Sequence, residues 1–400
     1  MLKGKNILIG VTGSIAAYKS AYLVSLLKKQ GCNVDVVMTK NTCKFITPLV
    51  FETLTGNRCP VDTFEKREVF DVEHISLAKK ADLAIIAPAS ANVIAKLAGG
   101  IADDMLTTTF LACTAPKLIA PAMNSAMYLN PVTQKNISIL QNLGYDVIDP
   151  AKGLLACGDE GPGKMAEPDV IVEFALKYLA MKKDLEGKKV VVTAGPTRES
   201  IDPVRFISNH SSGKMGFALA KAAMLRGADV TLITGKASIE PPLFVKTVNV
   251  ESTQSMCDAV IGEFDDADFI FKAAAVSDYT PATKAENKIK KKDSDMAISL
   301  KRTPDILMEL GKKKKKNQLI CGFSMETENL IENSSAKLKK KNADMIVANN
   351  LKDDGAGFGT DTNIISIITE KGVKTLPIMD KLDVANNIID TAIEIIGNKK

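Results

Sequence analysis

The chain begins the same local pattern twice, once in each half of its 400 residues. In the first half, a short apolar run ends at Val11-Thr12-Gly13 and a helical stretch follows. In the second half, an apolar run ends at Thr193-Ala194-Gly195 ahead of another helical stretch. Short apolar strands that alternate with helices form parallel sheets covered by helices on both faces. The repeated opening therefore predicts two α/β domains in one chain.

The predicted elements fill out both domains as Rossmann-like three-layer units with mainly parallel sheets. A charged segment ending at Gly187 separates them, which places the boundary near residue 186 and gives domains 1–186 and 187–400. Helical spacing predicts helices at 15–30 and 216–226. The apolar positions that support the first prediction include Ile15, Tyr22 and Leu23. Strands are predicted at 6–11, 33–38, 82–87, 117–122, 189–194, 229–234, 268–274, 318–322, 344–348 and 364–369.

Composition narrows the class of protein. Hydrophobic residues make up 46% of the chain and charged residues 25%, which is typical of a globular protein, and 400 residues exceed one ordinary core. The net charge of +5, 5% aromatic residues and absence of Trp do not favour nucleic-acid binding. The apolar run 7–11 is too short for a signal peptide or a membrane span, so we expect a cytoplasmic protein without a membrane partner.

The seven cysteines are scattered and show no CxxC spacing. A disulfide framework or a structural zinc site is therefore not favoured, and most of these residues are expected to be small buried side chains. Cys157 is the exception. It lies in Ala156-Cys157-Gly158-Asp159-Glu160-Gly161-Pro162-Gly163-Lys164-Met165, where three glycines and a proline predict an accessible loop and a reactive thiol.

Polar segments follow several predicted strands of the first half. Residues 121–127 include Asn124 and Met127, and such loops are where open α/β sheets bind ligands. The loop at Ser14 could hold a phosphate, or Ser14 could simply cap the helix. Ser90 and Asn92 could bond a planar ring, or form a cap and turn. His74 is one of only two histidines in the chain and could be structural or exposed.

The second half carries a polar insertion, residues 196–212, between its first strand and first helix. It includes Asp202, Arg205 and Asn209, and a polar insertion at the carboxyl end of a strand is a natural ligand loop. Residues 208–216 lead into a helix whose N-terminus, with Lys214, could bind an anion. The two polar loops, 121–127 and 208–216, predict two active sites.

An acid and a lysine group follow a later strand of the second half. Asp278 near Lys288, Lys290 and Lys291 suits a nucleoside triphosphate with Mg²⁺, although these lysines could also form a solvated loop. The five consecutive lysines at 312–316 are interpreted as a solvated surface.

These segments, in order and over essentially the whole chain, resemble the bacterial bifunctional phosphopantothenoylcysteine decarboxylase/phosphopantothenate–cysteine ligase family of coenzyme A biosynthesis. The most specific matches are residues 121–127, 156–165, 208–216, 273–278, 288–291 and 322–327.

The resemblance implies that residues 1–186 form an FMN-dependent decarboxylase. There the flavin oxidises the substrate thiol, the resulting thioaldehyde lets CO₂ leave, and the electrons return to give 4′-phosphopantetheine. It implies flavin contacts at Ser14, Thr39, Ser90 and Asn92, an essential His74, a substrate carboxylate held by Asn124 near Met127, and a proton donor in Cys157. Lys164 departs from the Arg that is usual there, which keeps the charge and loses bidentate recognition.

The resemblance implies that residues 187–400 form a ligase. CTP activates 4′-phosphopantothenate as an acyl-cytidylate, and the amine of cysteine displaces CMP. Asn209 would stabilise that intermediate, with Arg205 beside it and Mg²⁺ assisting. Lys337 and Lys341, one helical turn apart, share a face. The implied CTP positions are Asp278, Lys288, Pro304, Asp305, Ile306, Leu307, Phe323, Lys337 and Lys341.

Two other classes of protein are less well supported by the sequence. A Rossmann oxidoreductase would need GxGxxG after a strand, which neither half offers. A flavoprotein that binds but does not catalyse is opposed by the presence of His74, Asn124 and Cys157. The resemblance also implies a homo-oligomer, with trimeric decarboxylase contacts and dimeric ligase contacts.

Overall fold

The computed structural model describes residues 1–64, 72–154, 158, 160–291, 296–326, 329–350 and 359–398, without the side chains of Glu326 and Asn350. The chain divides into two compact units, Met1–Met181 and Lys182–Lys400. This division falls a few residues before the boundary expected near residue 186.

The first unit is a doubly wound sheet with helices on both faces. Its five-stranded sheet is parallel throughout and has the order β2-β1-β3-β4-β5, and a separate antiparallel hairpin joins β6 to β7. The strands are β1 (Asn6–Val11), β2 (Asn33–Met38), β3 (Leu83–Ala89), β4 (Lys117–Pro121), β5 (Tyr145–Val147), β6 (Ala151–Leu154) and β7 (Glu160–Lys164). The helices are α1 (Ala17–Lys29), α2 (Pro48–Thr55), α3 (Glu73–Lys80), α4 (Ala91–Ala98), α5 (Met105–Ala112), α6 (Ser125–Leu129), α7 (Pro131–Asn142) and α8 (Pro168–Leu179).

The strand order of the first unit reverses between β1 and β3. All seven residues of β3 are buried, which explains why this strand reads as one continuous apolar run. Ligands of open α/β sheets bind beyond the carboxyl ends of the strands at such a reversal. The loops after β1 and β3 therefore define the expected ligand position.

The second unit has an eight-stranded sheet of order β12-β11-β8-β13-β16-β17-β18-β19. Its strands are β8 (Lys189–Ala194), β9 (Arg198–Ser200), β10 (Phe206–Ser208), β11 (Asp229–Thr234), β12 (Lys246–Asn249), β13 (Phe269–Lys272), β14 (Tyr279–Pro281), β15 (Leu300–Arg302), β16 (Leu319–Glu326), β17 (Met345–Asn350), β18 (Thr362–Thr369) and β19 (Gly372–Asp380). The helices are α9 (Lys214–Leu225), α10 (Thr253–Phe264), α11 (Ile306–Lys313), α12 (Leu330–Lys340) and α13 (Lys381–Gly397).

This second sheet is parallel from β12 to β17, and β18 and β19 continue it antiparallel. Its order reverses between β8 and β13. The insertion predicted after β8 contains the antiparallel pair β9–β10, and β14 pairs with β15 outside the main sheet. The prediction of α/β units with mainly parallel sheets is confirmed.

Both predicted helices are present, with shifted starts. The first, α1, begins at Ala17, and Ile15 and Tyr22 are 62% and 51% exposed, whereas Leu23 is buried. The second, α9, begins at Lys214, before the predicted start at Gly216. A side chain at Gly216 would bring its Cβ within 2.5 Å of Ala194 Cβ, so this glycine permits close packing of α9 on β8.

Of the six cysteines in the described ranges, five are buried and Cys43 is half-buried, and none of the six is in a disulfide. Burial raises the pKa of Cys32 to about 11 and that of Cys59 to about 12, which makes both thiols unreactive. Among the helices in the described ranges, none combines the length and apolar character needed to cross a bilayer.

Candidate active sites

A cavity of about 910 Å³, called the first cavity, lies at the strand-order reversal of the first unit. Residues 13–16 after β1, 39–41 after β2, 90–93 after β3 and 122–124 after β4 line it, and β7 contributes Gly163 and Lys164. Its volume is near the upper end of the roughly 300–1,000 Å³ found for small-molecule sites. The sheet topology and the cavity therefore mark the same place.

The loops after β1 and β3 are tied to each other. Thr12 Oγ1 donates to the Pro88 carbonyl over 2.7 Å, and the Ser90 amide donates to Thr12 Oγ1 over 2.9 Å. Thr12 is buried, so this link is shielded from water. These hydrogen bonds hold the loops after β1 and β3 together where they line the first cavity.

All four residues implied in flavin binding line the first cavity. Ser90 also caps α4, because its hydroxyl accepts a hydrogen bond from the Val93 amide over 3.4 Å. Ser14 accepts from the Ala16 amide over 3.3 Å, and Thr39 lies 2.8 Å from Thr42, hydroxyl to hydroxyl. Asn92, in the first turn of α4, is exposed. Capping and cavity lining therefore coexist at Ser90.

Asn124 and Met127 also line the first cavity, on a segment held by β7. The Met123 amide donates to the Gly163 carbonyl over 2.9 Å. Gly163 has φ +134°, and a Cβ there would lie 2.3 Å from the Met123 carbonyl oxygen. The Asn124 side chain caps α6 by accepting from the Ala126 amide over 2.8 Å. Close contact with β7 thus positions Asn124.

Several cations line the first cavity. Lys19, 8% exposed, pairs with Glu167 at 2.7 Å, and Lys164 Nζ lies 4.0 Å from the same carboxylate. Lys96 pairs with Asp103 and Asp104, and these contacts raise its pKa, with the hydrogen bond that Lys96 donates to Asp103 contributing most. Lys19 and Lys164 share one carboxylate, so an anionic substrate would meet net positive charge on that side, whereas Lys96 is balanced by its two carboxylates.

Two residues implied for decarboxylation are not brought to the first cavity by the described part of the chain. His74 lies in the first turn of α3, half-buried, and is not among the residues that line the cavity. Cys157 lies outside the described residues.

A second cavity of about 680 Å³ lies at the strand-order reversal of the second unit. Residues 209–216 before and within α9 line it, as do 272–276 after β13, 304–307 before and within α11, and 323–325 of β16. The Asn209 side-chain amide donates to the Ala275 carbonyl over 3.0 Å, which joins the loops after β8 and β13. Asn209 and Asp278 thereby face one space.

Four of the implied CTP positions, Pro304, Asp305, Ile306 and Leu307, form the wall at the start of α11. The Asp305 side chain caps α11 by accepting from the Met308 amide over 3.1 Å and is paired with Lys341. Burial of Asp305 works against ionisation, but the Lys341 ammonium, the Met308 amide and the charge of Lys272 together outweigh it and lower the Asp305 pKa. Lys337 donates to the Phe323 carbonyl over 3.0 Å. The structure brings all of these together.

Lys272 and Lys381 also line the second cavity and were not predicted as site residues, whereas Lys214, which also lines it, was singled out. Lys214, expected to meet an anion, donates to Asp361 at 2.7 Å and to the Gly359 carbonyl at 2.8 Å. The Lys272 side chain has no hydrogen bond or ion pair among the described residues, although its backbone is paired in the sheet. Burial most, and then the charge of Lys337, lower the Lys272 pKa to about 8. A charged residue ending the apolar run Phe269-Ile270-Phe271 was the available signal.

Arg205 and Lys288 are not among the residues that line the second cavity. The guanidinium of Arg205 is bound to Asp202, 2.5 Å from Nη2 to Oδ2, and also donates to the Ile289 carbonyl. Across the described ranges, no group of three or more His, Cys, Asp or Glu side chains could hold a metal ion.

Comparison with known proteins gives matches along both units. The Flavoprotein family matches residues 1–180, and the DNA/pantothenate metabolism flavoprotein C-terminal domain matches residues 185–396. The coenzyme A biosynthesis bifunctional protein CoaBC of Bacillus subtilis is 50% identical over 393 residues, 97% of each chain.

Two further relatives also match over most of the chain. The protein of the same name from Vibrio vulnificus is 43% identical over 399 residues, 99% of each chain. A cysteine/cysteine sulfinic acid decarboxylase from an unknown prokaryotic organism is 46% identical over 350 residues, 86% of this chain and 98% of the relative. Matches of this length and identity show that the chain belongs to the family of bifunctional coenzyme A biosynthesis enzymes, which carry phosphopantothenoylcysteine decarboxylase and phosphopantothenate–cysteine ligase activities.

Proposed function

We propose that the second cavity is the ligase site and the first cavity is the decarboxylase site. Cysteine is joined to 4′-phosphopantothenate with CTP through an acyl-cytidylate, releasing pyrophosphate and then CMP. The product is then decarboxylated to 4′-phosphopantetheine. The observation that carries this assignment is that each unit has a cavity at its own strand-order reversal, lined by most of the residues implied for one of the two reactions.

The first cavity fits FMN. Small side chains at Gly13, Ala16, Ala91 and Ala122 leave room for a planar ring, and Ser14, Thr39, Ser90 and Asn92 offer hydrogen-bond partners. When bound, FMN would accept two electrons from the substrate thiol and return them after CO₂ has left.

The chain's own residues would bind and orient the substrate in the first cavity. Asn124 donates its amide to the substrate carboxylate, and Lys164 supplies a nearby positive charge on β7. Cys157, three residues beyond Leu154 of the cavity wall, is proposed as the proton donor of the last step. His74 lies away from the cavity of a single chain, and it is proposed to act at a site completed by a second chain.

The second cavity fits the triphosphate of CTP. Lys272, Lys337 and Lys341 line it together, and their ammonium groups would balance the phosphate charge that moves during acyl transfer. Mg²⁺ usually binds one or two carboxylates together with substrate phosphates, a role that suits Asp278. Asn209 would donate its amide to the acyl-cytidylate while the cysteine amine attacks.

The assembly and compartment are proposed on separate grounds. Tyr18 and Ile15, beside the first cavity, are more than 60% exposed, and large exposed apolar side chains favour burial against a second copy. We propose a homo-oligomer with trimeric decarboxylase contacts and dimeric ligase contacts. The unpaired, mostly buried cysteines fit a reducing compartment such as the cytoplasm.

The assignment is tested by a matched pair of variants, Asn124→Ala and Asn209→Ala, with both half-reactions measured on each preparation. Loss of a hydrogen bond from a side-chain amide to a charged group lowers a rate by roughly 10- to 100-fold. We expect Asn124→Ala to lower only CO₂ release from phosphopantothenoylcysteine, and Asn209→Ala to lower only CMP release with CTP. The opposite pattern, or loss of both activities in either variant, would refute the assignment.

Free cysteine is included as a second decarboxylation substrate because one relative is named for it. We expect faster CO₂ release from phosphopantothenoylcysteine, since the cations of the first cavity suit a phosphorylated substrate. Equal or faster turnover of free cysteine would instead make the amino acid the substrate of this site.

A further inference from the structure

The carboxylate of Asp202 collects five hydrogen bonds in the insertion between β8 and α9. It accepts from the amides of Val204 and Arg205 at 2.8 Å each and from the Ile289 amide at 3.2 Å. Arg205 adds two more, from Nε at 3.0 Å and Nη2 at 2.5 Å. The Asp202 side chain has no exposed surface, and the Arg205 guanidinium and these amides hold its pKa well below the ordinary range.

Asp202 and Arg205 each form a hydrogen bond with one backbone group of Ile289. While Asp202 accepts from the Ile289 amide, Arg205 Nη2 donates to the Ile289 carbonyl over 2.9 Å. The Ala285 amide also donates to the Ile201 carbonyl over 3.0 Å. The segment that carries Lys288 is thus attached to the insertion at three points.

The insertion itself is anchored to the start of α10 and to the loop before it. Glu199, 4% exposed, accepts from the amide and the hydroxyl of Thr253 at the start of α10, both over 2.8 Å. The Arg198 amide donates to the Glu251 carbonyl, and the Ser208 hydroxyl donates to the Thr197 carbonyl. A support fixed on α10 can hold the Lys288 segment in one place.

We propose that Asp202 and Arg205 form a clamp that positions Lys288 for the ligation reaction, and that Arg205 acts through this clamp instead of touching the substrate. The inference rests on the proposed ligase site, with Lys288 as a nucleotide contact. Neither the clamp residues nor Lys288 line the second cavity. The clamp binds the backbone next to Lys288, and the Arg205 guanidinium already has two partners, which is the arrangement expected of positioning residues.

The clamp is tested in the full chain by Asp202→Asn and Arg205→Lys, each alone and combined with Lys288→Gln. Misplacement of a catalytic contact can lower a rate by roughly 10- to 100-fold. We expect both single variants to lower kcat for CMP release by such a factor with little change in the KM for CTP. In the Lys288→Gln background, each should lower kcat by less than about threefold, because the residue they position is already gone.

Trypsin gives a readout that does not depend on activity. Cleavage after Lys288, Lys290 and Lys291 should be faster in Asp202→Asn than in the wild type, while decarboxylation remains at the wild-type rate. If Asp202→Asn also loses decarboxylation, the milder Arg205→Lys decides the question by the same measurements.

Three outcomes would overturn the clamp: unchanged cleavage after Lys288, a full multiplicative loss of kcat in the Lys288→Gln background, or a rise in the KM for CTP or phosphopantothenate alone. A rise in KM alone would indicate that Arg205 contacts the substrate directly. Failure of the proposed function is distinguishable, because wild-type enzyme would then release no CMP from CTP although the cleavage difference remained.

Discussion

The chemistry of Lys272 depends strongly on its surroundings. It ends β13 at the wall of the second cavity, where burial and then Lys337 lower its pKa to about 8. The unfolded chain keeps a proton on this lysine between about pH 8 and its ordinary pKa of 10.5, while the free folded protein does not. Above pH 8 the free folded protein has lost this proton, so an anion that stabilises the charged ammonium binds together with a proton.

We therefore expect the affinity for CTP to fall as pH rises through 8. The phosphates of CTP ionise well below that pH, so Lys272 supplies the coupled proton. One coupled proton weakens binding by roughly tenfold per pH unit at most. Calorimetric titration with CTP, from one unit below the Lys272 pKa to one unit above it, measures this slope.

Matched variants assign the slope to one residue. Lys272→Met should weaken CTP binding and remove the pH dependence, while Lys272→Arg should remove the pH dependence and retain affinity, because arginine stays charged. A slope that survives in Lys272→Met would show that another group takes up the proton.

Residue-level prediction from the sequence depended on motifs. Asn124, Asn209 and Phe323 stand in distinctive segments, and each lies at a cavity of the structure. Lys272 stands in no such segment, because its role comes from the neighbours that the sheet brings to it. Conversely, Arg205 lies in a predicted ligand loop but is bound to Asp202, a partner that spacing alone does not reveal.

At the scale of elements, the β6–β7 hairpin shapes the first cavity through direct backbone contact. Gly163 of β7 lies against Met123, where a Cβ would be 2.3 Å from the carbonyl oxygen. Gly153 of β6 provides a natural comparison: its φ is +143°, near the +134° of Gly163, and a Cβ there would meet nothing within 4 Å. The two glycines share the backbone conformation and differ in the contact.

We expect Gly163→Ala to lower decarboxylation by roughly tenfold or more, because the hairpin must move away from the segment that positions Asn124. Gly153→Ala carries a similar backbone strain of about 1–3 kcal/mol but leaves that contact intact, so its rate should stay closer to wild type. CO₂ release and CMP release are measured together, and the latter should be unaffected in both variants. Equal losses in the two variants would show that strain, and not the contact, controls the rate.

Elements differed in how well their sequence revealed them. The strands β1, β2, β8 and β11 were predicted at their observed bounds, because a strand buried on both faces reads as an apolar run. The strand β19 was not predicted: most of its residues are exposed, and pairing with β18 defines it. The short pairs β9–β10 and β14–β15 likewise depend on partners distant in the sequence.

For the whole molecule, a pattern that begins twice predicted the two units, and the division after Met181 lies a few residues before the boundary predicted near residue 186. The charged segment before Gly187 reads as a linker, yet part of it is bound into the second unit. Asp184 accepts two hydrogen bonds from Arg226, at 2.8 and 2.7 Å, and Lys183 donates to the Leu225 carbonyl. Leu185 is 1% exposed. Polar residues paired with distant partners resemble linker residues in a sequence.

This anchoring predicts that the second unit depends on its first residues. A polypeptide of residues 182–400 retains Asp184 and Leu185, whereas one of residues 187–400 loses both. Arg226, 5% exposed, would then keep only Asp390 as an acidic partner among those described, at 2.6 Å. Removing one partner of a buried ion pair costs about 3–5 kcal/mol, and removal of a buried leucine adds to that.

We expect residues 182–400 to unfold at a clearly higher denaturant concentration than residues 187–400, with both polypeptides free of flavin and residues 1–181 carrying it. Asp184→Asn in the longer polypeptide is the matched control. It should reproduce part of the loss of stability, because it weakens the Arg226 contact and keeps Leu185. Chemical unfolding followed by circular dichroism measures the stability, and absorbance measures the flavin. Equal stability of the two lengths would place residues 182–186 in a true linker, and flavin bound to residues 182–400 would contradict the assignment of the cofactor to the first unit.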